Sequence, residues 1–195
     1  MKRYILVLLI VLAGITLASA GSLAGSVKSG AAGASIVYLE PANGAAVAPV
    51  QQHEHVITQK GMKFVPQVLA VPLGATVIFK NDDSPAHNVF WTSVGGDRKL
   101  AHNLGTFPHG QERTFKFDHS GIVPLLCNVH PEMEGYIIVT ATPYYAQTDP
   151  ILGIYQIAGI PDGQYKVTAW HAGKKPEIRT MAITGSVKAD FDLSR

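Results

Sequence analysis

The sequence predicts an all-β protein built from short strands, for two reasons. Segments such as "ATVIFKND" and "RTFKFD" alternate apolar and polar residues, which is typical of strands with one buried face. The 19 glycines and 12 prolines recur at short intervals, and no window keeps a helical spacing of apolar residues for long. Several short strands separated by turn signals indicate β-sandwiches rather than a helical or mixed fold.

The N-terminus has the pattern of a secretory signal peptide. Lys2 and Arg3 precede the apolar run "YILVLLIVLAGITLA", which is followed by the small-residue motif "ASA". We therefore predict a signal peptide over residues 1–20, cleavage after Ala20, and a mature protein that is periplasmic or secreted. The alternative is a retained membrane anchor, for which the run is marginally short. After cleavage we expect no stable insertion into a membrane.

The positive charge of the chain belongs to its first residues. The full sequence has 16 Lys and Arg against 14 Asp and Glu, a formal net charge of +2. Loss of Lys2 and Arg3 with the signal peptide leaves 14 of each, a formal balance of zero. No cluster of basic residues with interleaved aromatic residues remains, so nucleic acid is not expected as a partner.

The mature chain has regions of two different compositions, which indicate two β-sandwiches. Residues 51–142 are rich in His and Phe and contain the cysteine, whereas residues 21–50 and 143–195 are short strands joined by Gly, Pro and Asp turns. We predict that the two outer segments form one sandwich and that residues 51–142 are inserted into it. The alternative is two consecutive domains packed side by side, with an N-terminal strand belonging to the first.

Cys127 is the only cysteine of the sequence, and it stands in "CNVHPEM". Exported proteins usually pair their cysteines in disulfides, so a single cysteine is anomalous unless it is buried and inert or holds a metal. His130 and Met133 follow it at intervals of three residues. Thiolate, imidazole and thioether together select copper, whereas structural zinc rarely uses a thioether. The alternative is that Cys127 and Met133 are ordinary core residues.

A blue-copper site needs a second histidine, and the sequence offers one after a predicted strand. Such a site has two histidines and a cysteine in one plane with a weakly bound methionine. His87 follows the strand "TVIFKND", 40 residues before Cys127, and we predict that it completes the site. Asn88 is expected to bond the backbone of the cysteine segment and so tie the distant histidine to the loop.

Two long stretches of the middle region resemble the cupredoxins, the blue copper proteins. They are "MKFVPQVLAVPLGATVIFKNDDSPAHNVF" and "HSGIVPLLCNVHPEMEGYIIV", and the loop from cysteine to methionine resembles that of amicyanin in length. The resemblance implies a Greek-key β-sandwich that holds one copper ion, which cycles between Cu(I) and Cu(II). It also implies that His87, Cys127 and His130 are equatorial ligands and that Met133 is the axial ligand.

The outer segments resemble a different family, the carboxypeptidase regulatory-like β-sandwiches, which are similar to transthyretin and immunoglobulin domains. The residues that carry the resemblance are Gly25-Ser26-Val27 and "ASIVYL" before the middle region, and Thr148-Asp149, Gly153-Ile154-Tyr155 and "IPDGQY" after it. This resemblance implies a second small β-sandwich made from both ends of the chain.

These patterns predict an exported carrier of single electrons and not an enzyme, because a site with four protein ligands leaves no position for a substrate. The cupredoxin resemblance implies brief contacts with a redox donor and a redox acceptor near His130. The alternative function is a periplasmic copper carrier or sensor that binds and transfers the ion itself. His53 and His55 are a candidate secondary metal site, with a plain polar loop as the alternative. His109 is expected at the surface, or else near the copper site.

Overall fold

A computed structural model describes residues 20–45 and 54–194. Within these ranges the chain forms short strands and one 3-10 helix, Arg98–Leu100, and contains no α-helix. The predicted all-β class and sandwich architecture are confirmed. The strands are β1 (Ala20–Lys28), β2 (Ile36–Pro41), β3 (His55–Gln59), β4 (Phe64–Val65), β5 (Val68–Pro72), β6 (Thr76–Asn81), β7 (His87–Trp91), β8 (His102–Phe107), β9 (Glu112–Lys116), β10 (Gly121–Leu126), β11 (Glu134–Thr140), β12 (Tyr145–Gln147), β13 (Ile154–Pro161), β14 (Gly163–Trp170), β15 (Glu177–Ile183), β16 (Ser186–Lys188) and β17 (Phe191–Asp192).

The first two strands and the last six form a pair of sheets that we call the outer sandwich. In one sheet β1 pairs with β13 antiparallel and with β16 and β17 parallel. In the other sheet the order is β12-β2-β14-β15, with β2 antiparallel to both of its neighbours. Strands from before residue 45 and from after residue 143 therefore pair with one another in both sheets. The domain boundaries at residues 50 and 142 stay predictions.

Close packing inside the outer sandwich requires a glycine in β1. A Cβ atom on Gly25 would lie 1.8 Å from the backbone oxygen of Ala189, a distance that no side chain tolerates. The segment at Ala189 lies so near because its backbone N–H donates to the oxygen of Ala24 at 2.9 Å. The core between the two sheets is apolar and contains every second residue from parts of both strands, namely Tyr155 and Ile157 of β13 and Tyr165, Val167 and Ala169 of β14.

Strands β3 to β11 form the central sandwich. One of its sheets has the order β5-β11-β10-β7-β8 and the other has the order β4-β3-β6-β9. The pairs β3–β6 and β5–β11 are parallel, so the chain crosses repeatedly between the two sheets. Aromatic side chains fill much of the core, and they include Phe79, Trp91, Phe107 and Phe117.

The middle of the five-stranded sheet brings two distant parts of the chain together. β7 lies between β8 and β10, and it is antiparallel to β10, with Phe90 opposite Leu126. Because of this direction, the first residue of β7, His87, lies near the residue that follows β10, Cys127. The predicted ligands from the two segments therefore meet at one edge of the sandwich.

The two sandwiches share a small apolar cluster. Ile36 and Trp170 come from the outer sandwich, and they pack with Val68, Ala70 and Ile138 of the central sandwich. The rings of Trp170 and Tyr136 meet edge to face, with 5.2 Å between centroids. Burial on both faces explains why β11 reads as an apolar run without alternation.

The predicted signal peptide lies outside the described residues, apart from Ala20, which begins β1. In the ranges that the structure does describe, no helix is long and apolar enough to cross a membrane.

His171, directly after β14, should make folding of the outer sandwich sensitive to acid. The residue is 3% exposed and its Nδ1 lies 3.2 Å from the Ser35 hydroxyl. Burial lowers the pKa of His171, and backbone hydrogen bonds of Ala32 and Ala34 oppose this shift. Because the folded pKa lies below the unfolded one, the neutral ring contributes stability above the unfolded pKa, near ~6.5. That contribution is lost as the pH falls through the folded pKa.

We expect the urea midpoint of the wild-type protein to fall more steeply between about pH 7.5 and about pH 5 than that of His171→Gln. The control is His119→Gln, which changes an exposed histidine and should keep the wild-type slope. Equal slopes for wild type and His171→Gln would show that His171 does not contribute.

Candidate metal centre

Three metal-binding side chains converge at the edge of the central sandwich where β7 begins and β10 ends. One ligand atom from each of His87, Cys127 and His130 lies within 4.8 Å of the other two. The Nδ1 atoms of the two histidines are 3.0 Å apart, and their rings meet at 61°. Among the described residues this is the only group of three His, Cys, Asp or Glu side chains with metal-ligand spacing.

The loop after β10 carries three of the four predicted ligands. Cys127 continues directly from β10, and the backbone N–H of Met133 donates to the oxygen of His130 at 3.0 Å. This turn brings Met133 back into the core cluster that also contains Cys127. Burial differs along the loop, because Cys127 and Met133 are buried whereas His130 is only half-buried. Val129, beside His130, is 49% exposed.

Asn88 links β7 to the cysteine segment through backbone and side chain. Its backbone N–H donates to the Cys127 sulfur at 3.4 Å, and its side-chain oxygen accepts a long bond from the Asn128 N–H at 3.5 Å. Its side-chain nitrogen donates to the oxygen of Asn103 at 2.9 Å. The Cys127 sulfur therefore receives a hydrogen bond from the strand that carries the distant histidine.

Asp83 is a residue of the centre that the sequence analysis missed. Its carboxylate lies 2.9 Å from the Nε2 atom of His87, and it accepts hydrogen bonds from the backbone N–H groups of Met62 and Gly61. The hydrogen bond from Met62, with those from Gly61 and His87, holds the pKa of Asp83 below its usual value, against an opposing effect of desolvation. The available signal was a carboxylate four residues before a predicted histidine ligand.

Gln59 is a second polar residue that the sequence analysis missed. It is fully buried, and its side-chain nitrogen makes a long hydrogen bond of 3.4 Å to the backbone oxygen of Asn88. Its side-chain oxygen has no hydrogen-bond partner among the described residues. The sequence does not show that Gln59 is buried, because most polar residues at strand ends are exposed.

The other histidines named in the sequence analysis have separate places. His55 begins β3, at the opposite end of that strand from Gln59, and His53 lies outside the described residues. The Nδ1 atom of His109 lies 3.2 Å from the backbone oxygen of Asp83, so His109 contacts the loop that supports His87. It is exposed and is not part of the converging group.

The donor set fits a copper ion. A thiol and two imidazole nitrogens are soft and borderline ligands, which copper prefers over the oxygen-rich sets of magnesium or calcium. One nitrogen of His87 is engaged with Asp83, so the nitrogen left for a metal is Nδ1, the one that faces His130.

The comparisons with known proteins agree with this donor set. The model of the copper binding proteins of the plastocyanin/azurin family matches residues 51–140. The central part of this chain is a cupredoxin. The cupredoxin fold binds copper and carries electrons, and the cofactor of this protein is one copper ion. No protein of curated function matches the sequence.

Solved structures of amicyanin variants are among those similar to this chain. A reduced Cu(I) form at pH 4 is 25% identical, covers 47% of this chain and 86% of its own, and has a TM-score of 0.42. A reduced state of another amicyanin variant is 23% identical, covers 53% of this chain and 99% of its own, and also has a TM-score of 0.42.

Replacement of Asn88 should loosen the link between β7 and the cysteine segment. We expect Asn88→Ala to lower the free energy of unfolding of the copper-free protein by about 1–3 kcal/mol, because the buried Asn88 side chain loses its hydrogen bonds with Asn103 and with the Asn128 N–H. Urea denaturation measures this change. Asn128→Ala, which removes an exposed side chain but keeps the backbone N–H that bonds Asn88, is the control. Equal effects of the two variants would contradict the role given to the Asn88 side chain.

Proposed function

We propose that this protein is an exported carrier of single electrons, with His87, Cys127 and His130 as equatorial ligands of one copper ion and Met133 as the axial ligand. The observation that supports this proposal most is the convergence of the first three side chains within 4.8 Å. The burial of Met133 on the same loop supports the fourth assignment. The signal-peptide pattern supports export, because copper carriers of this kind work outside the cytoplasm.

The surroundings of Cys127 and the chemistry of Met133 suit the roles proposed for them. Bound copper supplies the one-electron couple between Cu(II) and Cu(I). Cys127 follows an apolar strand whose Val123 and Leu125 are fully buried, so its sulfur is kept from water. The N–H of Asn88 directs positive charge towards that sulfur and supports the thiolate. Met133 provides a soft, weak ligand that tunes the reduction potential.

A rigid site suits electron transfer, because little must move when the metal changes charge. Three proposed ligands share one loop, and the fourth, His87, is fully buried and held by Asp83. The same burial disfavours the alternative role of a copper carrier or sensor, for which an exposed ligand set would allow rapid exchange of the ion. A fully ligated metal also leaves no position for a substrate, which supports a carrier over an enzyme.

His130 is the proposed place where electrons enter and leave. It is half-buried, unlike the other proposed ligands, and exposed Val129 stands beside it. Met62 is also exposed, and its backbone contacts Asp83 next to His87. These apolar side chains offer a small contact surface for a redox donor and acceptor, and transient redox complexes use small interfaces.

Copper loading followed by visible and EPR spectroscopy tests the site. We expect an intense sulfur-to-copper charge-transfer band in the wild type and its loss in Cys127→Ser, since the band needs the thiolate. Met133→Gln should keep the band and lower the reduction potential, because a harder oxygen ligand favours Cu(II). A wild-type protein without the band, or a band that persists in Cys127→Ser, would contradict the blue-copper assignment.

Electron self-exchange tests the contact surface and the shuttle role together. We expect Val129→Asp to slow self-exchange at least ~10-fold, because two like charges would meet when the surfaces of two molecules approach. Ile178→Asp is the matched control, since Ile178 is 56% exposed and lies on β15 of the outer sandwich. Equal rates for the two variants would contradict the docking surface. Copper loss faster than self-exchange in the wild type would favour the ion carrier instead.

A further inference from the structure

The carboxylate of Asp83 is held by three donors from two parts of the chain. One oxygen accepts from the Gly61 N–H at 2.6 Å, and the other accepts from the Met62 N–H at 2.8 Å and lies 2.9 Å from His87 Nε2. The side chain is only 14% exposed. A carboxylate with this many fixed donors has a defined position, unlike an ordinary surface aspartate.

The turn that supplies the two backbone donors adopts an unusual conformation. Gly61 has a φ of 63° and Met62 a φ of 56°, and Met62 is the only non-glycine residue with positive φ among the described residues. A side chain disfavours this conformation, and it persists where the surroundings hold it. Here it directs two successive N–H groups at the same carboxylate, an arrangement that binds anions.

The backbone of Asp83 is fixed from the other side by a buried asparagine. The oxygen of Asn81 accepts from the Asp83 N–H at 2.9 Å. Its side-chain nitrogen donates to the backbone oxygens of Pro85 and Phe107, at 2.9 and 3.0 Å. Asn81 is fully buried, so the loop before β7 is anchored to the central sandwich. Both the position and the direction of the Asp83 carboxylate are therefore set before any metal binds.

We propose, on the basis of the copper site proposed above, that Asp83 is a positioning residue that selects the copper-binding tautomer of His87 and strengthens it as a ligand. The carboxylate accepts the hydrogen of Nε2, so Nδ1 keeps its lone pair and faces His130. The negative charge makes the imidazole a better electron donor. A better donor stabilises Cu(II) more than Cu(I), because Cu(II) is the stronger Lewis acid.

Two variants separate the charge of Asp83 from the net charge of the protein. Asp83→Asn keeps the size of the side chain and an acceptor oxygen but removes the charge. Asp82→Asn makes the same change one residue away, at an exposed aspartate. We expect Asp83→Asn to keep the charge-transfer band and to lower Cu(II) affinity 10- to 100-fold, as is typical for outer partners of metal ligands. Cu(I) affinity should change less.

The reduction potential is the measurement that decides whether Asp83 acts on the copper site. A tenfold loss in Cu(II) affinity relative to Cu(I) raises the potential of a one-electron couple by about 59 mV. We expect such a rise in Asp83→Asn and a potential close to wild type in Asp82→Asn. Equal potentials in the two variants would overturn the proposal, even if Asp83→Asn were less stable, because a purely structural role would change stability alone.

A measurement on the wild type keeps the proposal testable if Asp83→Asn fails to fold. Nitrogen NMR of the copper-free protein reports which ring nitrogen of His87 carries the hydrogen. We expect Nε2 to carry it, and a hydrogen on Nδ1 would overturn the proposal. Failure of the underlying copper site is distinguishable, because the wild type would then show no charge-transfer band.

Discussion

The contact between Asn88 and the segment at Cys127 holds the centre together. β7 and β10 are paired at Phe90 and Leu126, but β10 ends one residue before the cysteine. Beyond that point the side chain of Asn88 takes the place of backbone pairing, and its own N–H reaches the sulfur. This link continues the contact between the two proposed ligand segments, 40 residues apart in the sequence, past the last strand pair. The geometry of the metal centre is thus an extension of strand pairing.

Around this contact, the side of the centre at His87 is buried and the side at His130 is partly exposed. His87 is buried and contacts Asp83, which in turn accepts hydrogen bonds from the turn at Gly61 and Met62. His130 is half-buried and stands in a loop beside an exposed valine. A partner molecule can therefore approach His130, while His87 is shielded from solvent. For the proposed electron carrier, this asymmetry would keep the site rigid and leave a short route for the electron through His130.

Much of this could be predicted from the sequence, because its signals are local. The all-β class follows from alternation and turns, and the convergence of His87, Cys127 and His130 follows from their places after a strand and on one loop. Asp83 could not be predicted, because in "NDDSPAH" it looks like any solvated turn residue, and its donors at Gly61 and Met62 lie more than 20 residues earlier. The parallel pairing of β1 with β16 and β17 was hidden as well, because register between distant segments leaves no local pattern.

The central sandwich begins and finishes at neighbouring points of the outer one. The backbone N–H of Leu39 donates to Tyr144, and the hydroxyl of Thr142 donates to the oxygen of Leu39. A segment of about a hundred residues thus leaves and rejoins the frame at one spot, and the entropy of closing such a loop grows only slowly with its length. In evolutionary terms, a domain attached in this way can be gained, lengthened or exchanged while the strands of the outer sandwich keep their pairing.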